Sequence, residues 1–191
     1  MATQAERRDA TREAILAAAG KLFQKHGFEE TAVEQITAAA NVAKGTFYQH
    51  FPSKGEILLA LIRHEEATLT AEVERRLGED GAPLKVGRWL IGAIARSCEE
   101  HRKMVSQSML MAMTKPARKG EPSTRTSFAS VFEEAQRRGD VRGDIDAYDL
   151  ALTLVAGMVP AMMQWAQSGK KGELAGSLEK AWQIFLEGAG K

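Results

Sequence analysis

Apolar residues recur along this chain three and four positions apart, the spacing that keeps side chains on one face of a helix. Ile15, Ala18, Ala19, Leu22 and Phe23 form such a face, and the basic turn Lys25-His26 followed by Gly27 stops it. Val33, Ile36 and Ala40 repeat the pattern in a second segment, with Thr31 as its expected cap and Glu34 completing a capping box. Beyond a break at Asn41-Val42-Ala43, the segment 44–51 places Phe47 and Phe51 one helical turn apart. Ser53 and Glu56 then predict a second capping box, opening a long helix through Ile57, Leu58, Leu61 and Ile62.

The rhythm changes after Gly78. The stretch GEDGAP reads as a linker, and Pro83 suits the first position of a helix running to about His101. A further helix is expected over 103–114, followed by the breaker-rich KPARKGEP. Phe128, Val131, Phe132 and Ala135 mark the next helix, GDVRGD is turn chemistry, and Asp146 is placed to cap an apolar helix after it. Leu174, Leu178, Ala181, Trp182 and Phe185 make a last amphipathic stripe. No window sustains the alternation of a strand, and no Asn-Gly or Asp-Gly pair sits between β-branched runs. The expectation is an all-α chain of about nine helices. A small unit over 1–52 is joined through a helix at 53–78 to the larger helical unit of 53–191.

Composition bounds this picture without changing it. A chain of 191 residues, 44% hydrophobic and 27% charged, can bury a real core. Lys+Arg 26 against Asp+Glu 25 leaves no whole-molecule field to select a partner. The single Cys98 excludes an internal disulfide and suits a reducing cytoplasm, and MATQAERRDATREA has no apolar run behind it, so no secretory signal is expected. The stretch 150–166, LALTLVAGMVPAMMQWA, nears the minimum membrane span of roughly 17 residues. Thr153, Pro160 and Gln164 interrupt it, and a helix buried on nearly all faces has the same composition. The buried helix, bent at Pro160, is the reading favoured here, with no membrane partner.

The segment NVAKGTFYQHFPSK, 41–54, is too polar for a core and too regular for a linker. Two short helices at 33–40 and 44–50, joined by a tight turn, form a helix-turn-helix, whose second helix lies in the major groove of DNA. Lys44 and Thr46 stand where side chains reach base edges, and Gly45 permits close approach of the backbone. Tyr48, Gln49, His50 and Lys54 are donors for phosphate, and Thr31 at the entry to the first helix completes the candidate contacts. Phe47 and Phe51, on the opposite face, hold the helix to its support.

Residues 12–62, with Gly27-Phe28, VEQITAAANV, KGTFYQHFPSK and Ile57-Leu58, resemble the DNA-binding domain of the tetracycline-repressor (TetR) family. The resemblance covers roughly the first third of the chain. It implies a dimeric bacterial transcription regulator, usually a repressor, whose larger domain binds a small effector and releases a near-palindromic operator. Asn41 stands where the family usually has Gly, and Asn is the next best residue for a left-handed backbone. Ala43 stands where Ser or Thr often caps the recognition helix, a loss of roughly 1 kcal/mol. Within residues 1–60, seven Lys and Arg are matched by seven Asp and Glu, so the DNA expectation rests on where the cations sit. That neutrality supports the alternative, a helical ligand-binding or scaffold protein whose helix-turn-helix no longer binds DNA.

In the larger unit, Met104, Met109, Met111 and Met113 put adaptable apolar surface on one short helix, suited to a core or to a tolerant binding site. Trp89 and Arg96 share a face of the preceding helix, as a stacking wall and a charge, though Trp89 equally suits a core. The expected pocket is Trp89, Met104, Met109, Met113, Phe128 and Phe132, with Arg96 or His101 holding one polar or anionic group of an apolar or aromatic effector. The last two helices carry more apolar surface than one subunit uses, so a homodimer is expected through Leu154, Met158, Met162, Trp165, Leu178, Trp182 and Phe185. Catalytic, metal and cofactor sites are not expected. His64-Glu65-Glu66-Ala67-Thr68 lacks the second histidine of a zinc-protease motif, and Cys98 with His101 makes half a zinc site.

Overall fold

The computed structural model describes residues 3–118, 120–168 and 172–189, and all regular structure among them is helical. Nine helices follow in order: α1 Gln4–His26, α2 Val33–Ala40, α3 Lys44–His50, α4 Lys54–Gly78, α5 Pro83–Glu100, α6 Arg102–Thr114, α7 Thr124–Arg138, α8 Ala147–Ser168 and α9 Leu174–Ala189. Pro83 opens α5 as the sequence predicts, and Asp146 caps α8 by accepting from the Tyr148 N–H at 2.9 Å.

Three helix starts differ from expectation, each for a local reason. The apolar stripe begins at Ile15, yet α1 begins eleven residues earlier, because Thr3 and Glu6 close a complete capping box: Glu6 N–H to Thr3 Oγ1 at 3.2 Å and Thr3 N–H to Glu6 Oε2 at 2.7 Å. Thr31 does not cap α2. Its hydroxyl is buried and donates to the Gly27 carbonyl at 2.7 Å, which leaves Ala32 at the cap position. Gln35 takes the role foreseen for Glu34, its Oε1 accepting the Ala32 N–H at 2.8 Å. Ser53 does cap α4, accepting from the Glu56 N–H at 3.4 Å, but the Glu56 carboxylate turns away to Lys115 and the box stays half made.

Two cores result. Ile15, Phe23, Ile36, Phe47, Ile57 and Leu58 close the first, around α1 to α3 and the start of α4. The second gathers α5, α7, α8 and α9 around Phe128, Phe132 and Trp182, whose ring centroids lie 6.0 to 6.4 Å apart. Helix α4 serves both, with Ile57 and Leu58 in one core and Val73 in the other. So does α6, whose Met104 enters the first core and whose Val105 enters the second. At the ends of α6, Lys103 Nζ donates to the Lys25 carbonyl and Lys115 pairs with Glu56.

Helix α8 corrects an expectation. It is long and apolar enough to cross a membrane, but it packs Leu150, Leu154, Met158, Met162 and Trp165 into the second core. Only 33% of its most apolar window is buried, so it is buried on one side and not all round. The expected interface residues Leu154, Met158, Met162, Trp165, Leu178 and Trp182 are therefore core of the same chain, and Phe185 is half-buried against Phe132 at 5.5 Å. The most apolar stripe on a helix is the one its own chain buries first. The faces left outside are Thr153, Gly157, Pro160 and Gln164 on α8, and Lys180 and Ile184 on α9.

Candidate nucleic-acid interface and ligand cavity

The turn between α2 and α3 depends on Asn41, at φ 53 and ψ 47 in the left-handed region that an Asn side chain tolerates. Its N–H donates to the Ala38 carbonyl at 3.2 Å, and the Val42 N–H to that of Thr37 at 3.0 Å, so both donors at the reversal are satisfied. Phe47 and Phe51 are buried, which fixes which face of α3 points outward. That face carries Lys44, Gly45, Tyr48 and Gln49, all exposed, with Thr46 and His50 half-exposed beside them. A Cβ at Gly45 would meet nothing within 4 Å, so the surface there is open to a groove wall. Tyr48 is held edge-on against Phe47, 5.2 Å between centroids, with its hydroxyl end free to reach outward.

Two lysines expected on DNA have different situations. Lys44 Nζ lies 2.5 Å from Glu34 Oε1, both exposed, and this pair holds the Glu34 carboxyl below its usual range and Lys44 above its own. Lys54 is engaged within the domain. Its ammonium donates to the carbonyls of Phe28, Glu29 and Thr31 at 2.7, 3.0 and 3.1 Å and sits 4.5 Å from the Phe28 ring centroid. An ammonium has three donors, and all three are used to clasp the turn between α1 and α2. Buried Thr31 is removed from the candidate contacts. Sequence reasoning missed Arg12, which spans from α1 to the end of α3, its guanidinium 4.3 Å from the Phe51 ring centroid and 3.5 Å from the His50 carbonyl.

Between the two cores lies a cavity of about 690 Å³, walled by Leu61 of α4, Ile94 of α5, His101, Met104 and Met109 on the α6 side, and Met162 of α8. A second cavity of about 520 Å³ adjoins it and opens between α4, α7 and α8. The structure brings His101, Met104 and Met109 together here, and places Met113, 71% exposed, at the edge of the second cavity. Trp89, Arg96, Phe128 and Phe132 are elsewhere. Trp89 lies under the Arg76 guanidinium at 4.1 Å, Arg96 is exposed, and the two phenylalanines are filled core. The α4 wall was missed because Leu61 and Ile62 read as packing, and Met162 because it was assigned to a dimer. Periodicity marks an inward face without saying whether anything fills the space inside.

Two titratable groups on the cavity wall, Cys98 and Glu66, are shifted by burial. Burial, then Glu65 and Glu99, pushes the Cys98 thiol up to about 12, so it stays a neutral, weakly nucleophilic packing group. Burial also pushes the Glu66 carboxyl up, although Thr124 donates to its Oε1 from N–H at 3.3 Å and from the hydroxyl at 3.5 Å. His101 accompanies Cys98 on the wall, and no cluster of three metal-ligating side chains occurs among the described residues.

Comparison with known proteins fits this geometry. The family described as "Bacterial regulatory proteins, tetR family" matches residues 15–61, the helix-turn-helix and its supports. The A-factor receptor protein of Streptomyces griseus is 28% identical over 90% of this chain, which spans 61% of that protein's length. The crystal structure of Thermus thermophilus FadR, a TetR-family repressor bound to lauroyl-CoA, superposes with a TM-score of 0.79 at 28% identity, covering 93% of this chain and 94% of that one. A gamma-butyrolactone receptor structure is 30% identical, covering 97% and 90% of the two chains, with a TM-score of 0.57. By motif, turn geometry and whole-chain likeness, the protein belongs to the TetR family of DNA-binding transcription regulators.

Proposed function

We propose that the protein is a ligand-released repressor that binds a near-palindromic operator as a homodimer in the cytoplasm. Recognition is assigned to Lys44, Gly45, Thr46, Tyr48, Gln49 and His50, and the division of labour falls between the DNA-binding 1–52 and the effector-binding and dimerising 53–191. The observation that carries the reading is the position of α6. It lines the apolar cavity with Met104 and Met109, while Met104 also sits in the core beneath the recognition helix. A ligand that repacks those methionines shifts α1 and α4, on which α6 packs, and through them the core that holds α3. Two similar proteins support an effector with apolar character: one structure holds lauroyl-CoA and another is a gamma-butyrolactone receptor.

The dimer face is assigned to Thr153, Gly157, Pro160 and Gln164 of α8 with Lys180 and Ile184 of α9, which the chain leaves uncovered. The test is a gel shift on DNA upstream of the protein's own gene, repeated with compounds that raise the melting temperature. Selective binding to that DNA, reversed by a stabilising compound, is the expected result. Equal affinity for scrambled duplex, or stabilising compounds that never release the operator, overturns it.

A further inference from the structure

Arg125 is a half-buried cation with no ion-pairing partner among the described residues. It stands in the first turn of α7, at the wall of the second cavity, half-buried. Its Nη1 donates to the Tyr148 hydroxyl at 3.0 Å and its charge centre lies 5.5 Å from the Tyr148 ring centroid. Its Nε is fully buried and has no hydrogen-bond partner. No carboxylate lies within ion-pairing distance of it among the described residues. A desolvated guanidinium donor without an acceptor is costly, and folds retain one where something else supplies the acceptor.

The surroundings indicate what that acceptor is. Arg63 and Lys115 line the same cavity, Lys115 already paired with Glu56. The opposing carboxylate, Glu66, is occupied by Thr124. The positive end of the α7 dipole adds to the same field. Away from these groups the walls are Ile62, Val155, Val159 and Met158, and they continue into the first cavity through Ile62, Ile94, Met109 and Met162, which both cavities share. The space is thus a cationic mouth on a long apolar interior.

We propose that the effector is an amphipathic monoanion, its carboxylate drawing the Arg125 Nε edge out toward the second cavity and its apolar tail running past Met109 and Met162 into the cavity between the two cores. A carboxylate presents two oxygens to one guanidinium edge, which suits an Arg whose other nitrogen is committed to Tyr148. The inference rests on the cavity being the effector site, and it replaces Arg96 and His101 as the anion-holding group.

The test is calorimetric titration of the full chain, without DNA, with dodecanoate, dodecanol and dodecyltrimethylammonium. Dodecanoate is expected to bind at least about ten-fold more tightly than the alcohol, in line with one charge-assisted bond. Arg125→Gln should erase that preference while leaving alcohol binding intact, and Arg125→Lys should restore part of it. Equal binding of all three probes to the wild-type protein overturns the proposal with no variant needed. So does a carboxylate preference that survives in folded Arg125→Gln. Operator binding by ligand-free protein is measured separately, so a failure here is distinct from failure of the regulator reading.

Discussion

Lys44 and Lys54, ten residues apart in one motif, show how the same side chain acquires opposite roles. Lys44 shares an exposed ion pair with Glu34, a contact screened by water and exchangeable for a base edge or a phosphate. Lys54 holds three carbonyls together, and among the described residues only that of Phe28 has a second donor, the Thr31 N–H at 3.3 Å. Lys44→Ala is expected to leave the melting temperature unchanged and to weaken cognate DNA more than scrambled DNA. Lys54→Met keeps the side-chain stem but removes all three of these bonds, and it should destabilise the folded chain by about 1–3 kcal/mol in denaturant titration. A Lys54→Met protein as stable as wild type, yet with DNA binding reduced at every sequence, would return this residue to the phosphate. Glu66 gives a second prediction at this scale. Its carboxyl is raised by burial above the ordinary 4.5, so the folded state holds its proton more tightly than the unfolded chain does. Its contribution to stability is complete below the unfolded value and is lost as pH rises through the folded one. Glu66→Gln, which still accepts from Thr124, should therefore match wild type at pH 4 and exceed it at pH 7. A gap that widens on acidification contradicts the assignment. The residue types were legible in the sequence, but their partners were not, because both the Lys54 clasp and the Glu66 cap join residues more than twenty positions apart.

Helices were the most legible level, and their errors are instructive. Every helix was foreseen, because amphipathic period and capping chemistry act within one turn. The start of α1 was missed because its first eleven residues are polar, and only the pair Thr3 and Glu6 announces them. Side-chain assignments on α7 to α9 went wrong for another reason: a stripe of Phe, Trp and Leu looks alike whether it meets a cavity, a partner subunit or its own core. Gly87 settles the matter locally. A Cβ there would lie 2.5 Å from Trp182 Cη2 and 2.9 Å from Cζ2, with Val131 Cγ1 at 3.2 Å. The ring has no retreat, since Phe128 and Phe132 flank it at 6.0 Å. Gly87→Ala should cost about 1–3 kcal/mol through overpacking, despite the better helix propensity of alanine. Trp182→Phe in the same chain should recover part of that loss. If Gly87→Ala instead raises the urea midpoint, the α5–α9 packing described here is wrong.

The proposed dimer presents two recognition helices at once, and net charge says nothing about how. Its near-neutral balance is explained by placement: Glu34 answers Lys44 in the absence of DNA, and nothing in a residue count distinguishes a paired cation from a withdrawn one. Half-site spacing of about one DNA turn, roughly 34 Å, is set by whichever face joins two copies. The buried stripes of α8 and α9 cannot be that face, so a Trp182→Glu change on α9 would unfold the chain and report nothing about assembly. Gly157 is the sharper probe. It lies on the outer side of α8, a Cβ there meets nothing within 4 Å, and Arg is a better helix former than Gly by about 0.7–1 kcal/mol. A monomer would therefore accept Gly157→Arg or gain from it, whereas a dimer packed on this face must bury two unpaired guanidinium groups. Sedimentation is expected to show wild type as a dimer at micromolar concentration and Gly157→Arg as a folded monomer. Operator affinity should fall steeply, because each recognition helix then binds alone and the second half-site no longer adds to the first. Ile184→Glu on α9 should act in the same direction through the neighbouring surface. A Gly157→Arg protein that remains dimeric and holds its operator would move the interface off α8 altogether.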